Sequence, residues 1–545
     1  MGARRVLAVA LAASCSVNVL AGNIQLANLT VPAQYAGNKS AVVGIFNQSY
    51  TAYKKYAWGH DDLSPVSLGS SDPFSGWGAT IADALDTMYI MGLLDLFEEA
   101  VNYTSTIDFS QSKTDATVDV FETAIRYVGG YLSAYELSGS KYPVLVQKAE
   151  EIAAGLAYGW VGDNAAPYNQ IDFTSHEAVV DTTNVAQVGT LTLEFATLTK
   201  HTGNATYQAL AEKATKALIA LADPIPGIPA QGYSPESGES IGAYVTWGGG
   251  TDSYLEYLIK YPRLTNTNDS AYVDEWKLAV DSSIKTLLRN STVGNLLYLA
   301  DFDGSEIRHV GSHLACFYGG NWIMGGSILN NQTIIDYGIQ LTDACWNTYA
   351  STLTGIGPET FAFISSDGNY TGGNAPTAAD LEFYNAHGFY ITGPDYDLRP
   401  EVLESNFYAW RSTGNTKYLD NAAAAVASFE KYLPVEGSGY SGLNDVTSAS
   451  SSRIDDQESF WFAEVLKYLY LTFDDPSHIS LDEWIFNTEC HPYAAPPAAS
   501  SYGSPAGTPS AAVSAGPFKV ISGSVPAISP NSKIPVPIKS LLHIP

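Results

Sequence analysis

From about residue 40 to residue 492 the chain repeats one texture: runs of about 12 to 18 residues with apolar positions at helical spacing, separated by loops rich in Gly, Asn, Ser and Pro. Phe121, Ile125, Val128 and Leu132 fall at i, i+4, i+7 and i+11, which is one face of a helix. Pro400 suits a first helical position, so a helix is expected to open there and run through Val402 to Trp410. No alternating run of comparable length argues for strands. The chain therefore reads as all-α, and successive helical hairpins of about 50 to 70 residues would suit a closed ring of paired helices.

The ends differ from this middle. Arg4 and Arg5 precede an apolar stretch that closes at Val19-Leu20-Ala21, so residues 1–21 read as a signal peptide. Ser14, Ser16 and Asn18 interrupt that stretch well short of the ~20 apolar residues a bilayer span needs, and a membrane anchor is not expected. Residues 22–39 form a short lead-in, and residues 40–492 one large helical domain or two to three ordinary ones. Residues 493–545, dominated by Ala, Ser, Pro and Gly, are expected to be a disordered tail that could carry O-linked sugars. Nine N-x-[ST] acceptors, at Asn28, Asn38, Asn47, Asn102, Asn204, Asn268, Asn290, Asn331 and Asn369, fit passage through a glycosylating secretory pathway. The product is expected to be secreted, or soluble in the lumen of that pathway, as a monomer. A net charge of -29 opposes any nucleic-acid partner, since phosphate backbones are bound by basic residues. With Cys15 lost with the signal, Cys316, Cys345 and Cys490 remain, enough for at most one internal bridge.

Acids sit where apolar helices leave little room for water. Glu122 and Arg126 share a helix face within a segment that includes Gly129-Gly130, which permits close packing. On an ordinary surface helix this pair would be a salt bridge worth a few tenths of a kcal/mol. Asp252 and Glu256 also share a face, where like charges repel, among Tyr254, Leu255, Tyr257, Leu258 and Ile259. Glu401 and Glu404 fall in a first turn, where the helix dipole favours anions. Glu464 lies in a segment apolar almost all round, with Phe460 one turn earlier; either an arginine such as Arg126 or Arg399 satisfies it, or it faces a cavity. A cavity lined with carboxylates suits a sugar or a metal ion, and glycoside hydrolysis needs two acids on opposite sides of the scissile bond.

Eight segments, in order, resemble the signature blocks of the class I α-mannosidases of glycoside hydrolase family 47: SGWGATIADALDTMYIMG (75–92), FETAIRYVGGYLSAYELSG (121–139), DSYLEYLIK (252–260), HLACFYGG (313–320), GIGPE (355–359), LRPEVLES (398–405), ESFWFAEVLKYLYL (458–471) and FNTECHP (486–492). The resemblance spans residues 40–492 and implies an (α/α)7 barrel with a calcium ion at its base. It is closest to the secreted fungal mannosyl-oligosaccharide 1,2-α-mannosidases. It implies an inverting exo-glycosidase that removes terminal α-1,2-linked mannose from high-mannose N-glycans on glycoproteins, with its acid and base roughly 6.5 to 9.5 Å apart.

By that resemblance Glu122 is the general acid, Asp252 a second essential carboxylate and Glu401 the general base, although the blocks do not settle which of the latter two activates water. Thr488 would bind calcium through its carbonyl and hydroxyl oxygens, with waters and sugar hydroxyls completing the shell. Without the resemblance it reads as a helix-terminal threonine. Arg126, Glu359, Arg399, Glu404, Phe460, Glu464 and Glu489 would line the pocket, Phe460 stacking on the sugar. Asp83 and Asp86 belong to the pocket floor or to helix packing. Cys316 and Cys345 match the family's disulfide pair, leaving Cys490, where alanine is usual, as a free thiol beside the calcium loop. The competing expectation is a glycan-binding quality-control protein with little turnover.

Overall fold

The computed structural model describes residues 23–114 and 116–504. The expected signal peptide and residues 505–545 of the expected tail lie outside the described residues.

Helices alternate between two kinds along the chain. One kind is buried all round: Ala79–Ile90, the continuous run Val120–Thr123, Ala124–Val128 and Gly129–Leu137, Thr192–Thr202, Asp252–Thr265, Tyr318–Ile328, Glu401–Thr413, and Trp461–Val465 with Leu466–Phe473. The other kind buries a single stripe: Ala36–Tyr56, Leu94–Thr104, Pro143–Leu156, Ala205–Ile219, Ala271–Thr286, Gln332–Ala350 and Lys417–Tyr432. In the last of these Tyr418, Leu419, Ala422, Ala425, Val426 and Phe429 face inward at the 3.6-residue period.

Among the described residues, burial therefore sorts these fourteen helices into seven inner and seven outer, while the short Val185–Gly189 and the largely exposed Ala378–His387 belong to neither set. Each inner helix packs on the outer helix that follows it, and the last inner helix packs on Ala36–Tyr56. Each inner helix also touches the next, and the last touches the first, so the ring closes as an (α/α)7 barrel. Helices that lie between neighbours, an outer layer and an interior filling have no face left for water, which explains their unbroken apolar texture.

Close approach within the ring depends on small residues. A Cβ at Gly130 would lie 2.4 Å from the carbonyl oxygen of Ala82, and one at Gly129 would lie 2.8 Å from Asn487 Nδ2. The Cys316–Cys345 disulfide, with Cα atoms 5.9 Å apart, ties the entry of inner helix Tyr318–Ile328 to outer helix Gln332–Ala350. Cys490 is fully buried and free.

Three features depart from the sequence expectations. Strands of two to four residues form small antiparallel sheets between the helices, too short for period-2 alternation to show in the sequence. Pro400 precedes the helix that begins at Glu401 instead of starting it. The expected tail boundary falls inside a hairpin, since Trp484–Phe486 pairs with Pro492–Ala494. Beyond it, Arg263 Nη1 donates to the carbonyl of Pro496 at 2.8 Å, Tyr502 Oη to Asn266 Oδ1 at 2.8 Å and Ser504 N to Asp274 Oδ1 at 3.0 Å. Residues 493–504 are thus strapped to the barrel by hydrogen bonds, many to main-chain atoms, which composition does not reveal.

All nine glycosylation acceptors lie at the surface, with Asn38 and Asn204 half-buried and the other seven exposed. Among the described residues no helix is long and apolar enough to cross a membrane.

Candidate active site

The acids singled out above cluster at one end of the ring because of where each sits on its helix. Asp252 and Glu401 are the first residues of their inner helices, Glu122 is the third residue of its own, and Phe460 immediately precedes the last one. Their side chains therefore meet where the inner helices begin, at the ends whose dipoles favour anions. The C-terminal hairpin enters the ring from within: its strands pack on helices Asp252–Thr265 and Gly129–Leu137, and its turn brings Thr488 and Glu489 to the same place. Thr488 thus stands in a hairpin turn, not at a helix end.

Together these residues line an open cavity of about 1170 Å³, part of it continuous with solvent. Every catalytic, pocket and metal-site residue expected from the sequence faces it: Glu122, Asp252, Glu401, Arg126, Glu359, Arg399, Glu404, Phe460, Glu464, Glu489 and Thr488. Glu256, Asp395, Asp397 and Glu458 join them, so eleven carboxylic side chains face two cationic ones, Arg126 and Arg399. Glu256 and Glu458 both lie within quoted sequence blocks, Glu256 on a buried helix face and Glu458 buried just ahead of the helix that opens at Trp461, a signal that could have found them. Asp395 and Asp397 come from a loop with no periodic pattern to mark them.

The Glu122–Arg126 pair is buried, each residue about 5% exposed, and not a surface bridge. Arg126 Nε and Nη2 meet Glu122 Oε2 at 3.0 and 2.9 Å, while Nη1 reaches Asp83 Oδ2 at 3.3 Å and Glu489. Residues Ala124–Val128 are wound as a π-helix, as are Trp461–Val465. These wider turns carry Arg126 and Glu464, and such bulges are frequent at functional sites. Nothing in the sequence pattern announced them.

Each carboxylate has its own electrostatic setting. Glu401 Oε2 accepts from His313 Nδ1 at 2.6 Å, with Arg399 Nη1 at 4.0 Å from its other oxygen. Burial pushes Glu401 up, but the hydrogen bond and charge of His313, together with Arg399, outweigh it and hold the carboxyl below its ordinary value. His313 is oriented in turn by Tyr349 Oη, 2.7 Å from Nε2. Burial lifts Asp252 to about 7, with Glu256 and Glu401 adding to it against the hydrogen bond from Ser253 N. The expected repulsion between Asp252 and Glu256 is relieved by Lys260, one turn on, which is buried and ion-paired to Glu256.

Glu404 is lifted to about 8 by burial and by Glu256 and Glu401, partly offset by Lys260. Glu464 is pushed well above the carboxylate range by burial and then by Glu489, Glu401 and Glu404. Neither arginine neutralises Glu464 through an ion pair among the described residues: Arg399 Nε donates to Glu359 Oε2 at 2.6 Å, and Arg126 is taken as described. Of the two possibilities open for Glu464, the cavity is the one observed. The guanidinium carbons of Arg126 and Arg399 lie 5.7 and 5.8 Å from the Phe460 ring centre, framing an aromatic platform of the kind that holds a pyranose.

Asp83 and Asp86 lie behind this wall, fully buried, and serve packing. Asp86 meets Lys467 Nζ, His491 Nδ1 and Ser133 Oγ, each at 2.8 Å. Asp83 holds Arg126, Ser459 and His491. Burial pushes the Cys490 thiol well above its ordinary value, and the extra cysteine beside Thr488 is shielded from solvent.

The donor set suits a hard cation. Thr488 is half-buried on the cavity wall, its N–H is bound behind it by Tyr257 Oη at 3.2 Å, and its carbonyl and hydroxyl oxygens take no hydrogen bond among the described residues. The surrounding carboxylates exceed the cations. Among the described residues no three His, Cys, Asp or Glu side chains converge as a metal site by themselves. The fit therefore rests on the Thr488 oxygens and the surrounding charge.

The family model described as "Glycosyl hydrolase family 47" matches residues 45–495. A probable mannosyl-oligosaccharide alpha-1,2-mannosidase 1B from Aspergillus clavatus is 39% identical over 480 residues, covering 83% of this chain and 92% of the relative. The mannosyl-oligosaccharide alpha-1,2-mannosidase 1B of Aspergillus phoenicis is 38% identical over 474 residues, covering 83% and 90%. The solved structure of alpha-1,2-mannosidase from Trichoderma reesei superposes with a TM-score of 0.81 at 36% identity, over 84% of this chain and 99% of that one.

Proposed function

Because the chain belongs to glycosyl hydrolase family 47, we propose that it is a mannosyl-oligosaccharide α-1,2-mannosidase, releasing terminal mannose from high-mannose N-glycans with inversion and with calcium. The observation that carries this is the convergence of Glu122, Asp252 and Glu401 on one cavity that also holds Phe460 and Thr488.

Glu122 gives a proton to the glycosidic oxygen as the bond to the anomeric carbon breaks. A carboxylate opposite takes a proton from the water whose oxygen bonds to that carbon, and the free sugar leaves as the β anomer. Between the two candidate bases the electrostatics favour Glu401. His313 and Arg399 keep it ionised, and His313 occupies Oε2, leaving Oε1 for water. Asp252, lifted by burial to about 7, suits a hydrogen bond to a sugar hydroxyl or to that water. Thr488 would hold the calcium, which when bound supplies a fixed positive charge that orients hydroxyl oxygens. Arg126, Arg399 and Phe460 fix the ring, while Glu359, Glu404, Glu464 and Glu489 accept from its hydroxyls.

The signal-like start and the nine surface acceptors support a place in the secretory pathway or outside the cell. The test is mannose release from a high-mannose glycan by the full chain, with the anomer followed by NMR before and after chelation and calcium re-addition. Calcium-dependent appearance of β-mannose is expected. Glycan binding without release would replace the proposal by a lectin-like role, and α-mannose as first product would remove Glu401 as base.

A further inference from the structure

Glu194 is buried on inner helix Thr192–Thr202, and no step above uses it. Its Oε1 accepts from Tyr257 Oη at 2.6 Å and from Asn487 Nδ2 at 2.9 Å, while Oε2 is buried without a partner. Tyr257 lies on the helix that Asp252 opens, and its oxygen accepts the N–H of Thr488 at 3.2 Å. A phenol has one proton to give. A carboxylate acceptor draws that proton toward Glu194 and leaves the phenol lone pair facing Thr488, so the direction of the whole chain is set by Glu194.

Asn487 reinforces it. Its Oδ1 accepts the N–H groups of Glu489 and His491 at 3.0 and 2.7 Å, which orients its amide to donate to Ile125 O at 3.0 Å and to Glu194. Ile125 lies in the π-wound segment beside Arg126. One carboxylate thereby connects the helix of Glu122, the helix of Asp252 and the turn that carries Thr488.

We propose that Tyr257, which binds the Thr488 N–H from behind, and Glu194, which holds Tyr257, are positioning residues that present the Thr488 carbonyl and hydroxyl oxygens to a cation in the cavity. This rests on the calcium proposal above. Residues behind a metal ligand that fix its orientation commonly govern affinity by about 10- to 100-fold when removed. Here the leverage is greater than usual because Thr488 is the sole side chain offered as a direct ligand.

The experiment titrates calcium into chelator-treated full-length protein and its variants Tyr257→Phe, Glu194→Gln, Glu194→Leu and Tyr261→Phe, measuring calcium affinity by calorimetry and Tm in excess chelator. Tyr257→Phe is expected to weaken calcium binding about tenfold, and Glu194→Leu more, with Glu194→Gln between them and wild type because an amide oxygen still accepts from Tyr257. Tyr261→Phe removes a phenol one turn along the same helix that donates to Glu212, and should leave affinity unchanged. Unchanged affinity in Tyr257→Phe, or a loss matched by Tyr261→Phe, overturns the positioning role while leaving the calcium proposal standing. Wild-type protein that binds no calcium overturns both.

Discussion

Two groups of buried acids lie back to back in this barrel, and they are treated in opposite ways. Behind the cavity wall, Asp83 and Asp86 are matched by Arg126, Lys467 and His491, and these partners outweigh burial so that both acids are held below their ordinary values. In front of it, Asp252, Glu404 and Glu464 have too few cations, and burial raises all three. Burial is shared, so pairing makes the difference. The matched group is finished as folded and acts as a strut, whereas the unmatched group keeps its hydrogen-bonding and charge capacity for whatever enters.

The comparison breaks most visibly at the reacting acids. Glu122→Gln and Glu401→Gln should each reduce kcat by about 10²- to 10⁴-fold while leaving the far-ultraviolet spectrum and Tm close to wild type, measured on purified protein by mannose release. A variant retaining more than a tenth of the rate would remove that residue from the chemistry. Next in size is the strut. Lys467→Met leaves Asp86 facing one cation fewer in a fully buried site, and should cost about 3 to 5 kcal/mol, seen as a lower denaturant midpoint. An unshifted midpoint would mean the two groups are not distinct.

The pH dependence sharpens the contrast with smaller effects. A carboxyl raised on folding contributes stability that is full below its unfolded value and is lost as pH rises through its folded value. Asp252 and Glu404 should therefore make the calcium-free protein lose stability between about pH 4 and pH 8. Carboxyls held low do the reverse: the contributions of Asp83 and Asp86 are present above about pH 4 and disappear below it. His491, raised by Asp86 and Asp83 against burial, adds to the decline above its ordinary value. Glu404→Gln should flatten the neutral limb and leave the acid limb intact, and saturating calcium should flatten the neutral limb too; Tm measured across pH, with and without chelator, checks both. Least affected should be Cys490→Ala, with wild-type activity and a loss of about 1 kcal/mol, since its thiol is buried and bonded to nothing catalytic. A native protein whose thiol reacts readily with a disulfide reagent would contradict that.

The sequence by itself determined the all-helical class, the block order and the identity of every residue expected to line the cavity. Helical period and apolar continuity are local properties, and they survive in a linear reading. Acids within unbroken apolar runs such as Glu464 were conspicuous for the same reason. What only the tertiary structure decided is which acids are paired. Glu122 and Arg126, one turn apart, could be paired from the sequence, whereas Asp86 finds Lys467 only because helices from opposite ends of the chain meet, and only the fold shows that Glu122 faces a cavity while Asp86 lies behind it. The π-wound turns and the strap at residues 493–504 were likewise hidden, since their partners lie hundreds of residues away, and the short hairpins were hidden because strands of two to four residues show no alternation. Pairing is a matter of distance in space, and in a closed ring the first and last inner helices, nearly 400 residues apart, lie side by side.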